Sequence, residues 1–399
     1  MESGRIVIVG AGQGGFQAAA SLRQEGFRGE IVLIGDETGL PYQRPPLSKA
    51  YLKTGVADEL ELRPAAFFEA HDITLVNATR VEAIDREGKA VVAGDRRFPY
   101  DHLIIATGTR NLRPPIPGLE RTVDLRTLAD AARLRDHLAG PRRIAVIGGG
   151  FIGLEFAAVA RALGHTVTVA EAATRLMARV VSPEVSARFL DMHRGMGTEV
   201  LLGQPVAEVT ETGIALADGT VIAADMVLLA AGVRPNAELA AAAGLTVANG
   251  VVVDTQLATA DPDISALGDC AVFPDPRTGR PVRLESVQAA VDHARTIAKR
   301  LVKGSTDAYA AVPWFWSDQA DWKLQIAGLS SPEDDSVLRG DGAVLRFDGD
   351  VLTAVETIND GRTHMQARRL MAGDAPLTRD ALAPLDYDLG PLMKASRGR

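Results

Sequence analysis

Ile6-Val7-Ile8-Val9-Gly10-Ala11-Gly12-Gln13-Gly14-Gly15 is the stretch that decides the fold. An apolar run of strand length enters a glycine-rich turn, and the residues that follow open a helix. In that context G-x-G-x-x-G is a dinucleotide-binding fingerprint; without it, the string is common and weak. Gly10 permits the tight turn, Gly12 removes the side chain that would block a pyrophosphate, and Gly15 lets the helix pack closely on the strand. The helix N-terminus adds unpaired N–H groups and a partial positive charge for phosphates.

The chain repeats the unit. Ile144-Ala145-Val146-Ile147 leads into Gly148-Gly149-Gly150-Phe151-Ile152-Gly153 with the same glycine spacing. The first copy reads as a strand over 5–9, a helix over 13–25 and a strand over 31–35; the second reads as 143–147, 151–163 and 166–170, with Gly164 stopping its helix. In each, a carboxylate follows the third glycine by about 20 residues, where it can accept ribose hydroxyls. These are Asp36 and Glu171. An acid at Glu171 repels a 2'-phosphate, so NADH is expected over NADPH, with Arg175 close enough to blur the preference slightly. The duplication extends to Tyr100-Asp101-His102-Leu103-Ile104-Ile105-Ala106-Thr107-Gly108 and Ala224-Asp225-Met226-Val227-Leu228-Leu229-Ala230-Ala231-Gly232, each an apolar strand ending in glycine.

With 399 residues, 46% hydrophobic and 24% charged, the chain has room for two or three domains of ordinary soluble composition. A formal charge of -8 disfavours nonspecific nucleic-acid binding. Apolar runs are of strand length, and the first strand follows Met1 too closely for a leader segment, so a cytoplasmic protein without membrane association is expected. The one cysteine, Cys270, rules out an intrachain disulfide and dithiol exchange, and reads as a small buried hydrophobe. The seven histidines form no metal-like spacing, and no metal site is expected.

After about residue 245 the pattern changes to short strands over 251–254 and 264–267, then a helix over 285–302. From about 325, strand-like pieces such as 344–347 and 351–357 alternate with turns at Asp341-Gly342, Asp348-Gly349 and Asp360-Gly361. The far terminus, rich in Pro, Asp, Arg and Gly, reads as loose at its end. Several residues stand out with two readings each. Arg44 and Lys49, in the proline-stiffened Pro41-Tyr42-Gln43-Arg44-Pro45-Pro46-Leu47-Ser48-Lys49, are surface charges or ligand contacts. Glu155, read as lying in the first turn of the second helix, is a helix-end carboxylate or one half of a buried ion pair. Asp269, after Gly268 at a strand end, grips a ligand hydroxyl or caps the next segment. In Pro313-Trp314-Phe315-Trp316-Ser317-Asp318-Gln319, alternation sends Trp314 and Trp316 to one face and Phe315 to the other, for a planar ring, a partner or a core.

These motifs, with Ala106-Thr107-Gly108, Gly268-Asp269 and Arg283-Leu284-Glu285-Ser286-Val287-Gln288, occur in the order seen in ferredoxin and rubredoxin reductases. The whole chain resembles the putidaredoxin-reductase-like, NADH-dependent ferredoxin reductases of bacterial cytochrome P450 and aromatic-ring dioxygenase systems, within the FAD-dependent pyridine nucleotide oxidoreductases. The resemblance implies an α/β fold with two Rossmann-like dinucleotide-binding domains of the glutathione-reductase type and a C-terminal α+β domain. Residues 1–110 and 245–320 would hold FAD, 111–244 would hold NADH, and 321–399 would form the last domain.

The same resemblance implies site roles. Gly10, Gly12, Gly15, Asp36, Arg44, Pro46, Ala106, Thr107, Gly108, Gly268, Asp269 and Val287 would line the FAD, with Asp36 at the adenosine ribose, Arg44 near the phosphates and Asp269 at the ribityl chain. Gly148, Gly150, Ile152, Gly153, Glu171 and Gly232 would line the NADH. Lys49 would approach the flavin N5 region and pair with Glu155, Glu285 would position the nicotinamide, and Trp316 would lie toward the partner protein. Hydride would pass from NADH to FAD and single electrons to a [2Fe-2S] ferredoxin that feeds a cytochrome P450 or ring-hydroxylating oxygenase. Two rival readings are a rubredoxin reductase and an apoptosis-inducing-factor-like flavoprotein acting mainly through interactions.

Overall fold

The computed structural model describes residues 3–373 and 376–397. Strand β1 (Arg5–Val9), helix α1 (Gln13–Gln24) and strand β2 (Glu30–Ile34) form the first βαβ unit, followed by β3 (Ile73–Val76) and β4 (His102–Ile105). The insert contributes β5 (Arg143–Ile147), α2 (Phe151–Ala162), β6 (Thr166–Glu171), α3 (Pro183–Gly195), β7 (Glu199–Leu202) and β8 (Met226–Leu229). The chain then returns with β9 (Ile264–Ala266) and α4 (Val287–Lys303). It ends in β10 (Trp314–Gln319), β11 (Trp322–Gly328), β12 (Asp335–Arg339), β13 (Ala343–Asp348), β14 (Val351–Ile358) and α5 (Gly361–Met371), with a short helix over Gly390–Arg397.

Two compact units result. The first comprises the residues up to Arg44, Ala57–Arg110 and Val233–Ala311. Its central sheet runs β9-β4-β1-β2-β3, all parallel, which is why β1 and β4 carry continuous apolar runs rather than alternation. Helix α1 packs along α4, and the contact is close because a Cβ on Gly14 would lie 3.5 Å from that of Ala290. The second unit comprises Pro45–Val56, Asn111–Gly232 and the chain from Val312 onward. It contains the parallel sheet β7-β6-β5-β8 and the antiparallel sheet β10-β11-β14-β13-β12.

The repeated βαβ elements start and stop within a residue or two of the expected limits. The division of the chain differs more. The insert gives way to the first unit at Val233 rather than 245, and residues 45–56 belong with the insert. Trp314–Gln319 pairs with Trp322–Gly328 as the first hairpin of the C-terminal sheet, so that domain begins before the expected residue 321. Asp360-Gly361 is not a turn between strands: the Asp360 carboxylate accepts from Thr363 N–H at 3.0 Å and caps α5. The expected loose terminus lies partly in Gly398 and Arg399, outside the described residues.

One buried polar cluster ties the insert to the C-terminal sheet within the second unit. Ser182, the N-cap of α3, donates from its backbone N–H and its Oγ to the Glu356 carboxylate, at 2.9 and 2.6 Å. Arg346 lies 3.4 Å from the same carboxylate and donates to the Ser331 and Asp334 carbonyls. Both side chains are buried. Burial pushes the Glu356 carboxyl above its ordinary pKa, against the Ser182 donors and the Arg346 charge, which favour the ionised form. Removing one member strands the other charge in the core. Glu356→Ala is therefore expected to lower the unfolding free energy by about 3–5 kcal/mol in denaturant titrations, and Arg346→Leu added to Glu356→Leu to recover much of the loss. A Glu356→Ala midpoint equal to that of the wild type would contradict this account.

Candidate functional site

Both glycine loops have the shape a pyrophosphate needs. Gly10 has φ +111°, and a Cβ there would stand 2.2 Å from the Ala106 carbonyl; Gly148 has φ +109°, with the Ala230 carbonyl at 2.4 Å. Cβ atoms on Gly15 and Gly153 would strike the carbonyls of Gly10 and Gly148 at 1.8 and 2.3 Å. Only glycine closes these turns. In contrast, Gly12 and Gly150, the N-caps of α1 and α2, face open space with no atom within 4 Å of a Cβ position and no side chain capping the helix. Each helix thus presents unpaired N–H groups to a hollow, which suits a dinucleotide phosphate.

Around the first loop, Ala106 abuts Gly10, Thr107 donates to the Asn236 carbonyl at 2.7 Å, and Gly108 has left-handed backbone. Gly268 and Asp269 form a 3-10 turn in which the Asp269 carboxylate accepts from Thr109 Oγ1 at 3.1 Å. Asp36 lies beyond the end of β2, exposed, with Arg80 at 3.7 Å. Its neighbour Glu37 is the half-buried acid: it accepts from Tyr42 Oη at 2.6 Å and from the Arg44 guanidinium. Burial works against the Arg44 charge, and the Tyr42, Glu37 and Asp269 oxygens outweigh it, raising its pKa. Glu37 was not singled out in the sequence because the spacing rule points at the strand's end and is satisfied by either acid. Glu285 is paired with Arg283 at 2.6 Å, and Arg283 also donates to the Asp269 carbonyl; Val287 begins α4.

Around the second loop, Glu171 ends β6 with one carboxylate oxygen accepting from Gly149 N–H at 2.6 Å and the other from Ala173 N–H at 2.7 Å. The acid is thereby anchored to the glycine loop, with lone pairs left for hydroxyl donors. Arg175, close by in sequence, has its guanidinium donating to the Ala178 and Val181 carbonyls at 2.6 and 2.7 Å. Ile152 is 42% exposed at the start of α2, and Gly232, with φ +98°, follows β8.

A buried polar cluster of the second unit surrounds Glu155. This residue opens the second turn of α2, not the first, and no backbone N–H of the helix start is its partner. At 3% exposure it accepts from Lys49 Nζ at 2.8 Å, Ser317 Oγ at 2.7 Å and Ser48 Oγ at 2.5 Å. Of its two sequence readings, the ion pair holds. Pro46 lies in the 3-10 turn Pro45–Ser48 that delivers Ser48 and Lys49. Alternation in β10 is as expected: Trp314 and Trp316 rings lie 5.5 Å apart, while Phe315 meets Phe151 of α2 at 4.6 Å and Ser317 follows it onto Glu155. Ser48 and Ser317 were visible inside the quoted motifs, but a serine carries no sequence signal for a buried acceptor.

Residues 4–294 match the family described as pyridine nucleotide-disulphide oxidoreductase, and residues 314–393 match the reductase C-terminal family. The chain belongs to the pyridine nucleotide-disulphide oxidoreductase family. It is an FAD-dependent, NADH-linked oxidoreductase. It is similar to rhodocoxin reductase of Rhodococcus erythropolis, with 48% identity over 96% of this chain and 93% of that protein. Among solved structures it is similar to the ferredoxin reductase for the CYP199A2 system from Rhodopseudomonas palustris, at 44% identity and TM-score 0.93 over 97% and 99% of the two chains. The reductase in the covalent putidaredoxin reductase–putidaredoxin complex matches at 37% identity and TM-score 0.93 over 99% of both. Among the described residues no helix is long and apolar enough to cross a membrane.

The family's name refers to disulphide chemistry, for which this member has one thiol. Cys270 is buried, its Sγ lies 3.3 Å from the Leu267 carbonyl, and burial raises its pKa, so it is a protonated, enclosed thiol at neutral pH. Alkylation of native protein is expected to proceed no faster than global unfolding, measured by iodoacetamide labelling across a denaturant series. Rapid labelling in buffer alone would contradict the assignment.

Proposed function

We propose that this chain is an NADH:[2Fe-2S] ferredoxin reductase serving an oxygenase, most directly a cytochrome P450. One observation carries the reading: two dinucleotide cradles stand in a chain whose single buried thiol cannot form a redox pair, so electrons need an exit other than a disulfide. The named systems of the similar proteins support the acceptor class. When bound, FAD supplies a carrier that takes up a two-electron hydride from NADH and releases electrons one at a time.

The protein's own residues supply alignment and charge. The Gly10–Gly15 loop and the N-terminus of α1 are assigned the FAD pyrophosphate, and Arg44, held by Glu37, the phosphate side; Asp36 or its half-buried neighbour Glu37 takes the adenosine ribose and Asp269 the ribityl hydroxyls. The Gly148–Gly153 loop is assigned the NADH pyrophosphate, with Glu171 accepting from its ribose hydroxyls and Ile152 and Gly232 flanking it. Lys49 is assigned the reacting end of the flavin, where its Nζ is held 2.8 Å from the buried Glu155 carboxylate. A fixed cation is suited to stabilising negative charge that develops during hydride uptake. Glu285 is assigned the nicotinamide side and Trp316 the side facing the ferredoxin.

The direct test is an acceptor panel with NADH as donor. The yellow holoprotein is expected to bleach with NADH and to reduce a [2Fe-2S] ferredoxin much faster than a rubredoxin; the reverse order, or no bleaching, would sink the proposal. Glu171→Ala removes the acceptor for the ribose and the anchor for the Gly149 N–H. It should raise KM for NADH roughly tenfold to a hundredfold with a smaller effect on kcat, and steady-state kinetics with unchanged KM would remove Glu171 from the site.

A further inference from the structure

The Glu155 cluster does not end at Ser317. Gln319, next on the same face of β10, donates from Nε2 to Ser317 Oγ at 3.2 Å and lies 3.7 Å from Met177 Sδ. Its Oε1 is 2.9 Å from Nε2 of His193, on α3. Ser317, Gln319 and His193 are all fully buried. A continuous chain thus runs from His193 through Gln319 and Ser317 to Glu155, where Lys49 and Ser48 also donate.

Such a chain has a direction, and the amide sets it. An amide oxygen only accepts and an amide nitrogen only donates, so with Oε1 on His193 the imidazole must donate from Nε2–H, and Ser317 must accept from Gln319. The Ser317 hydroxyl proton is then free to point only at Glu155. The opposite orientation would make Ser317 donate to the amide oxygen and deprive Glu155 of a donor. His193 favours the first arrangement: among the described residues its Nδ1 has no partner, so a proton there would be a buried unpaired donor, whereas a bare lone pair is the less costly state. Burial also holds the His193 pKa below its ordinary value, keeping the ring neutral.

We propose that Gln319 and Ser317 are positioning residues for the Lys49–Glu155 pair, and that the Gln319 amide, oriented by His193, fixes the chain so that Glu155 faces Lys49 as a pure acceptor. The amide also interrupts proton relay, since it has no hydroxyl or imidazole to pass a proton along. Glu155 therefore accepts from Ser317 and aims Lys49, and is not the outlet of a proton path through His193. The functional half of this proposal rests on the assignment of Lys49 to the reacting site; the direction of the chain does not.

Two measurements on the FAD-loaded, full-length protein test it. In 15N NMR of histidine-labelled protein, with His193 assigned by loss of its signal in His193→Asn, the ring is expected to be neutral, protonated at Nε2 and bare at Nδ1. A proton on Nδ1 with a bare Nε2 reverses the amide and overturns the proposal. In stopped-flow reduction by NADH, Ser317→Ala and Gln319→Leu are each expected to slow flavin reduction, Ser317→Ala by roughly tenfold, and the double variant to be no slower than Ser317→Ala, because Gln319 acts only through Ser317. Ser317→Thr, which keeps the hydroxyl, should restore most of the rate. Additive slowing, or a wild-type rate in Ser317→Ala, would overturn the positioning role. Failure of the wild-type protein to be reduced by NADH would instead refute the functional assignment while leaving the histidine result standing.

Discussion

A carboxyl group as deeply buried as Glu155 needs hydrogen-bond donors around it, and distant parts of the second unit supply them. The carboxylate and its donors come from three distant parts of the sequence. Ser48 and Lys49 arrive on the proline-stiffened segment, Ser317 arrives on the first strand of the C-terminal sheet, and Glu155 itself sits on the helix that follows the second glycine loop. Residues 45–56 and the chain beyond Val312 likewise partition with the insert rather than with the sequence that precedes each. The Ser182–Glu356–Arg346 cluster joins the same two layers by the same logic of buried charges that need partners.

The two glycine loops illustrate a different constraint, one of space. At Gly10, Gly15, Gly148 and Gly153 any Cβ would collide with backbone oxygen, while Gly12 and Gly150 leave a hollow before a helix N-terminus. The first four glycines are needed for closing the turn, and the remaining two for leaving a phosphate room. Side chains then differentiate the duplicated loops. Glu171 is bound back to its own loop through Gly149, whereas Asp36 is exposed and its neighbour Glu37 is taken up by Arg44 and Tyr42. Two loops of one design thereby acquire unequal surroundings, as expected for a resident cofactor and an exchanging one.

Much of the chemistry follows from direction as well as proximity. Among the described residues every hydrogen bond at the Glu155 carboxylate points toward it, and the chain through Ser317 and Gln319 continues that polarity to His193. Cys270, by contrast, is enclosed with carbonyls as its neighbours and has no second sulfur. A chain with an oriented ion pair and an inert thiol is suited to passing electrons through a bound ring to a protein acceptor, and unsuited to storing them in its own sulfur.

The sequence by itself determined the paired βαβ units, because strand apolarity, glycine spacing and the acid about 20 residues on are local properties that each segment carries with it. It also determined which face of Trp314–Gln319 each side chain takes, since alternation in a strand is a property of the backbone. The resemblance already implied the Lys49–Glu155 pair; tertiary structure alone decided that Ser48 and Ser317 complete it, the choice of Glu37 over Asp36 as the half-buried acid beside Arg44, the retention of Arg175 by carbonyls, and the allegiance of residues 45–56 and 314–319. The physical reason is that a polar side chain's role depends on which donors and acceptors meet it after burial, and those partners lie too far along the chain for any local pattern to name them.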